Sequence, residues 1–204
     1  PIKSSAASDV YKRQLAGFGL WATFSETLTK CMSAVSGNKA LLTFPQVTPL
    51  DLMLSRTVVV WGTQLSSGCV ITGIAAFCGT SLYVSDWTGL FAAFLLTPLL
   101  GLGCGMLCAS LAVFWPTLEK IVPMILRILF FASGIFFSVS MFPKNIADIL
   151  LLNPVMQLIE LLRQSLSRGY VAPTYDYLYI VAFCVVSLCL GGLLERYARK
   201  RAEQ

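Results

Sequence analysis

Few residues in the apolar part of this chain of 204 residues could take part in acid–base or ionic chemistry. Glu26 and Lys30 lie four residues apart in an otherwise apolar stretch, a spacing that lets a carboxylate and an ammonium pair on one helix face. We predict that this pair lies near the cytoplasmic end of a membrane helix and has a structural role. We also predict that it is the only ion pair within the membrane.

The remaining reactive side chains do not form a recognisable site. Cys104 and Cys108 share a helix face, but two thiolates without further ligands do not complete a zinc site, and the sequence has no His. The sequence contains no GxxxxGK[ST] phosphate-binding loop, no GxSxG elbow and no HExxH motif. We therefore expect no catalytic residue, no metal and no cofactor in this chain, and any ATP-driven work would require a partner.

The composition indicates a polytopic membrane protein. Hydrophobic residues make up 56% of the chain and charged residues only 12%, whereas soluble domains average about 25% charged residues. The net charge is +5, but the basic residues lie at the ends of apolar segments. This distribution follows the positive-inside rule and does not suggest nucleic-acid binding.

Hydrophobicity predicts an all-α fold with five membrane spans. Residues 1–14 are polar and look like a non-native leader joined to a truncated gene, so we leave them out of the fold prediction. The predicted spans are 15–35, 57–80, 89–115, 122–142 and 176–194. The turn at 115–120, with Arg127 soon after it, and the basic C-terminal tail are predicted to be cytoplasmic. Gly101, Gly105 and Ala109 form a small-residue ridge that could pack within the subunit or between subunits.

The stretch 143–169 is apolar but is interrupted by Asn153 and Pro154. Asn is a good N-cap and Pro suits the first helical position, so a second short helix should begin there. Neither half reaches the roughly 20 residues that a spanning helix needs. We predict a re-entrant hairpin whose second helix carries Gln157, Glu160 and Arg163 on a polar face at the membrane surface; the alternative is one kinked span over 146–162.

Three sequence segments carry a family resemblance: FPQVTPLD, FWPTLEKIVP and MFPKNIADILLLNPVMQLIELLRQSLSRGY. With them, the chain from residue 15 onward resembles the permease subunit of ABC-2-type exporters, most closely those for capsular polysaccharide. The resemblance implies a six-span subunit of the bacterial inner membrane that forms a homodimer around a polysaccharide channel. It also implies a separate ATP-binding subunit that holds ATP and magnesium, and leaves periplasmic or outer-membrane export components as further partners. The family's first span would then be missing from this sequence.

The resemblance suggests three groups of functional residues. The outer gate would comprise Phe142, Pro143, Asn153, Pro154, Glu160 and Arg163. Coupling to the ATP-binding subunit would involve Phe44, Pro45, Pro49, Asp51 and Glu119, although these could be ordinary solvated turns. Phe130, Phe136 and Phe137 could line an aromatic channel without fixed charges, or could simply face lipid or neighbouring helices.

Other functions remain compatible with the sequence. An ABC-2 permease for O-antigen, teichoic acid, another lipid-linked glycan or a drug would share the same fold. A membrane enzyme acting on lipid-linked sugars would instead need Asp, Glu or His residues clustered at an interface. No such cluster is apparent in the sequence, so this alternative is remote.

Replacing Asp51 by Lys should weaken coupling to the ATP-binding subunit, because it reverses a charge that we predict at a helix start facing that subunit. Membrane insertion should be unaffected. The measurement is ATP hydrolysis stimulated by the permease in the reconstituted complex. Normal stimulation by the variant would show that Asp51 has no coupling role.

Overall fold

The computed structural model describes residues 2–38, 40–44, 46–77, 84–135, 142–166 and 176–202, with side chains from residue 14 to residue 198 of these ranges. The described residues contain helices and no strand, which confirms the all-α prediction. The helices are α1 (Ile2–Met32), α2 (Ala34–Gly37), α3 (Pro49–Phe77), α4 (Trp87–Phe114), α5 (Leu118–Ala132), α6 (Lys144–Leu151), α7 (Pro154–Leu166) and α8 (Tyr177–Ala202), with a 3-10 turn at Leu41–Thr43.

Three of the described helices, α3, α4 and α8, are long and apolar enough to cross a membrane. In the most apolar stretch of α4, half of the residues are buried, whereas in the most apolar stretch of α3 only 6% are buried. The fold is therefore built around α4, and α3 is peripheral. The predicted spans 15–35 and 122–142 correspond to α1 and α5. Over the described residues, these two helices are not both long and apolar enough to be counted with the other three.

Several helix bounds differ from the predicted spans. Helix α1 begins at Ile2, so the segment set aside as a leader is continuous with it. Helix α3 already begins at Pro49, and α5 ends at Ala132. The end of α5 has a backbone cause, because Gly134 adopts a φ of 70°, a conformation that glycine accepts and that terminates helices. Residues 136–141 of the predicted fourth span lie outside the described residues.

One end of the bundle, here called the basic end, carries Lys30, Arg56, Lys120 and Arg196 on α1, α3, α5 and α8. Contacts between helix termini define this end. The thiol of Cys31, near the end of α1, lies 3.3 Å from the hydroxyl of Thr57 in the first half of α3. The rings of Phe114 and Tyr197 stack 6.2 Å apart, which brings the ends of α4 and α8 together. Leu50, at the start of α3, lines a groove with residues near the end of α8. The loops before α3 and α5 and the C-terminal part of α8 therefore share one end.

Glycines let α4 pack closely against neighbours on two sides. A Cβ atom added to Gly105 would lie 2.7 Å from the Cβ of Cys31 in α1, and one added to Gly101 would lie 2.8 Å from that of Thr27. On the other side, a Cβ atom added to Gly103 would lie 2.9 Å from the backbone of Leu188 in α8. The ridge of Gly101 and Gly105 thus packs within the subunit, the first of the two predicted possibilities.

Replacing Gly105 by Val should destabilise the bundle, because the added atoms must push α1 away from α4. Overpacking of this kind costs about 1–3 kcal/mol, which should appear as a lower unfolding temperature of the purified protein in detergent. Gly68→Val is the matched control, because nothing lies within 4 Å of a Cβ atom at Gly68 in α3. Equal unfolding temperatures for the two variants would contradict the packing described here.

Candidate functional site: the broken hairpin

The hairpin breaks at the predicted position. Helix α6 ends at Leu151, α7 begins at Pro154, and their axes are bent by 103°. The Oδ1 atom of Asn153 accepts a hydrogen bond of 3.0 Å from the N–H of Val155, so this residue caps α7 as predicted. A bend of this size is compatible with both predicted alternatives, a re-entrant hairpin and a broken span.

Both ends of α7 lie at the end of the bundle opposite to the basic end. At its start, the Nδ2 atom of Asn153 donates to the hydroxyl of Ser133, just after α5, over 3.4 Å. At its end, the carbonyl of Ser165 accepts from the N–H of Ser85, just before α4, over 2.7 Å. Helix α7 thus runs from the end of α5 to the start of α4.

Gln157 ties the hairpin to the last helix. Its Nε2 atom donates to the carbonyl of Leu151 over 2.6 Å, and its Oε1 atom accepts from the N–H of Asp176 over 3.0 Å. The hydroxyl of Tyr179 also donates to the carbonyl of Leu152 over 2.7 Å. These bonds satisfy carbonyls that the end of α6 would otherwise leave without partners, and they place the start of α8 beside the break.

The predicted polar face of α7 is not at the surface. Glu160 is 0% exposed and Arg163 is 5% exposed, and Gln157 is also buried. The prediction of a surface position for Arg163 was therefore wrong. Helix α7 packs against α1, α4 and α8, so other parts of the chain cover both its polar face and its apolar face.

Glu160 and Arg163 form a buried ion pair inside this packing. The Nη1 atom of Arg163 lies 3.1 Å from the Oε1 atom of Glu160. Its Nη2 atom donates to the carbonyls of Gly134 and Ile135 over 2.6 Å and 2.9 Å. One guanidinium thus joins α7 to the turn that follows α5, through charge-assisted hydrogen bonds that are stronger than neutral ones.

This pair is a second ion pair of the described residues, besides the predicted pair of Glu26 and Lys30. The Glu26–Lys30 pair exists, at 3.7 Å, but about half of each side chain is exposed. The buried pair had a detectable signal in the sequence, because ionisable residues within a membrane-compatible stretch are rare and face the protein interior. Amphipathic spacing alone pointed instead to the surface.

The other residues predicted for the outer gate lie at the edge of this arrangement. Phe142 and Pro143 are exposed and precede α6, and the carbonyl of Pro143 accepts from the N–H groups of Ile146 and Ala147, each at 3.0 Å. Most of α6 is exposed, whereas α7 is buried. The structure thus brings together Asn153, Glu160 and Arg163 but leaves Phe142 and Pro143 outside the packed part of the hairpin.

The residues predicted to couple to an ATP-binding subunit lie at the basic end, away from the hairpin. Phe44 is 60% exposed, Pro49 begins α3, and Glu119 is exposed in the first turn of α5. Asp51 lies in the first turn of α3, as predicted, and its Oδ2 atom accepts from the N–H and hydroxyl of Thr48 over 2.9 Å and 2.6 Å. Pro45 lies outside the described residues.

Phe130 lines an open groove between α1 and α5. Its ring centroid lies 5.9 Å from that of Trp21 and 5.7 Å from that of Phe18. The groove has a volume of about 450 Å³ and is lined by Trp21, Ser25, Glu26, Thr29, Pro123, Leu126, Arg127, Phe130 and Phe131. The other two predicted lining residues, Phe136 and Phe137, lie outside the described residues.

The sequence of this chain is similar to those of known transport proteins. The sequence model of the family described as ABC-2 type transporter matches residues 15–167. The polysialic acid transport protein KpsM of Escherichia coli is 25% identical over 173 residues, which cover 85% of this chain and 67% of that protein. The capsule polysaccharide export inner-membrane protein CtrC of Neisseria meningitidis serogroup B is 23% identical over 179 residues, covering 88% of this chain and 67% of that protein.

Replacing Arg163 by Met should strongly destabilise the protein, because it leaves the buried carboxylate of Glu160 without its guanidinium partner. Breaking a buried pair in this way costs about 3–5 kcal/mol, measurable as a lower unfolding temperature in detergent.

Replacing both residues, Glu160→Leu with Arg163→Met, should recover part of the loss, since no buried charge then remains at this site. Lys144→Met is the control for removal of a basic side chain, because Lys144 is exposed on α6, and it should change stability by less than about 0.5 kcal/mol. If Arg163→Met were no more destabilising than Lys144→Met, the buried pair would not hold the hairpin.

Proposed function

Because the chain belongs to the ABC-2 type transporter family, we propose that it is the permease subunit of an exporter for capsular or related surface polysaccharide. The observation that carries this proposal is the family match over residues 15–167. The finer assignment to polysaccharide is supported by relatives named for polysialic acid transport and capsule polysaccharide export. The proposed location is the bacterial inner membrane, with the basic end of the bundle in the cytoplasm.

The distribution of charge supports transport that is driven from outside this chain. Residues 57–77, 87–114 and 177–194, which form the apolar parts of α3, α4 and α8, contain no charged side chain. Transporters that couple to ions or protons usually place carboxylates within such segments. The energy would therefore come from a separate ATP-binding subunit, which also holds ATP and magnesium.

The separation of the two candidate regions supports a division of labour between the two ends. The ATP-binding subunit would dock at the basic end, near Phe44, Asp51 and Glu119, where these side chains are exposed. The hairpin would form the outer gate at the opposite end. Helix α5 joins the two regions, because it begins beside the proposed docking surface and the turn after it bonds to Arg163. A movement at the base of α5 would thus reach the gate directly.

We propose that two copies assemble around the polysaccharide, with the groove between α1 and α5 facing the passage. The groove is open, and the rings of Phe130 and Phe131 that line it offer apolar faces to a sugar chain. Pyranose rings have apolar faces of their own, so burying them against aromatic rings is favourable and needs no exact register. A repeating polymer could therefore slide past this surface.

The experiment is deletion of the gene in its host, followed by complementation and by isolation of the tagged permease. We expect surface capsule to disappear on deletion and to return on complementation, and an ATP-binding subunit to be isolated together with the permease. Loss of O-antigen, teichoic acid or drug resistance with intact capsule would assign a different substrate to the same permease. Intact surface glycans together with no bound ATP-binding subunit would overturn the proposal.

A further inference from the structure

The groove between α1 and α5 contains a cation at an unexpected depth. Arg127 was predicted to lie close to a cytoplasmic turn, but it lies nine residues after Leu118, the first residue of α5. At 1.5 Å per residue, its Cα atom is about 13 Å along the helix from that end. Its side chain is exposed and lines the groove beside Phe130 and Phe131.

The surroundings of Arg127 on α5 are apolar. Met124, Ile125 and Ile128 are exposed on the same helix and carry no charge. A guanidinium at this depth is costly in contact with lipid, so such residues face water, a partner or a polar ligand. Within the part of the chain that the structure describes, Arg127 takes part in no ion pair, whereas Glu26 across the groove is paired with Lys30 at 3.7 Å.

The groove is lined by one anion and one cation, Glu26 and Arg127, but Glu26 is already paired with Lys30 at 3.7 Å. The hydroxyl groups of Ser25 and Thr29 also line the groove and can hydrogen-bond to sugar hydroxyls. The groove thus combines aromatic side chains, hydroxyl groups and a cation that forms no ion pair within the described residues.

We propose that Arg127 is a specificity-determining residue that selects acidic polysaccharide, by binding a sugar carboxylate while Phe130 and Phe131 contact the sugar rings. A guanidinium is suited to this role because it can donate two parallel hydrogen bonds to one carboxylate. A neutral polymer would make the aromatic contacts but would leave the cation without a ligand. This inference rests on the proposed function, since it names the substrate class of the same passage.

The test measures binding of two oligosaccharides of equal length to the full chain in lipid nanodiscs by equilibrium dialysis. The acidic probe is an oligomer of galacturonic acid, and the neutral probe is an oligomer of maltose-type glucose units. We expect Arg127→Gln to lower affinity for the acidic probe by at least about tenfold, because each charge-assisted hydrogen bond that is lost has about that effect. Affinity for the neutral probe should not change, and added salt should weaken only acidic binding.

Two further variants make the test specific. Glu26→Gln removes the negative charge of the groove and should raise affinity for the acidic probe, so the proposal remains testable if Arg127→Gln folds poorly. Lys120→Gln removes one positive charge from the exposed start of the same helix, outside the groove, and should leave acidic binding unchanged.

Several results would overturn the inference. Equal affinity of the unaltered protein for both probes would do so, as would unchanged acidic binding in Arg127→Gln, the result expected if the side chain only extends to the membrane surface. Equal losses in Arg127→Gln and Lys120→Gln would show general attraction to positive charge. In each case, loss of capsule on gene deletion would still support the proposed function, whereas intact capsule would remove the proposed function itself.

Discussion

The structure depends on one guanidinium that is almost completely excluded from solvent. Arg163 bonds to Glu160 on its own helix and to the carbonyls of Gly134 and Ile135 at the end of α5. A charge in such a place is unfavourable unless it is paired and hydrogen-bonded, and here both conditions are met. The charge makes the position of α7 specific, because any displacement of the helix would separate the guanidinium from acceptors that water cannot replace.

The other helices of the bundle bury α7. Helix α4 is the central element, and its glycines allow α1 and α8 to approach it closely on two sides. At the end opposite to the basic end, the N–H of Ser85 bonds to the end of α7 and Asp86 caps α4. The hydroxyl of Thr88 and nearby backbone N–H groups hold the pKa of the Asp86 carboxyl below its usual range, so the cap stays charged to a lower pH than an ordinary Asp would. The end of α7 is thus hydrogen-bonded to the residue that directly precedes the cap of α4.

The sequence predicted the parts of this arrangement that local chemistry determines. Asn153 and Pro154 act on the residues immediately beside them, so the break and the cap could be predicted from their types and spacing alone. The burial of Glu160 and Arg163 could not, because their covering comes from α1, α4 and α8, which are distant in sequence. Amphipathic periodicity shows that a helix has a polar face, but it does not show what lies against that face. The end of α5 was not predicted either: it coincides with the positive φ of Gly134, whose carbonyl accepts a hydrogen bond from Arg163, 29 residues later in the sequence.

Amide hydrogen exchange of the unaltered protein tests the burial of the hairpin most directly, since it compares two helices that are neighbours in the sequence. The account predicts slow exchange throughout Pro154–Leu166, which is packed on all sides, and faster exchange in Lys144–Leu151, which is largely exposed. If the amides of both helices exchanged at the same fast rate, α7 would lie at the surface and the ion pair would not anchor it.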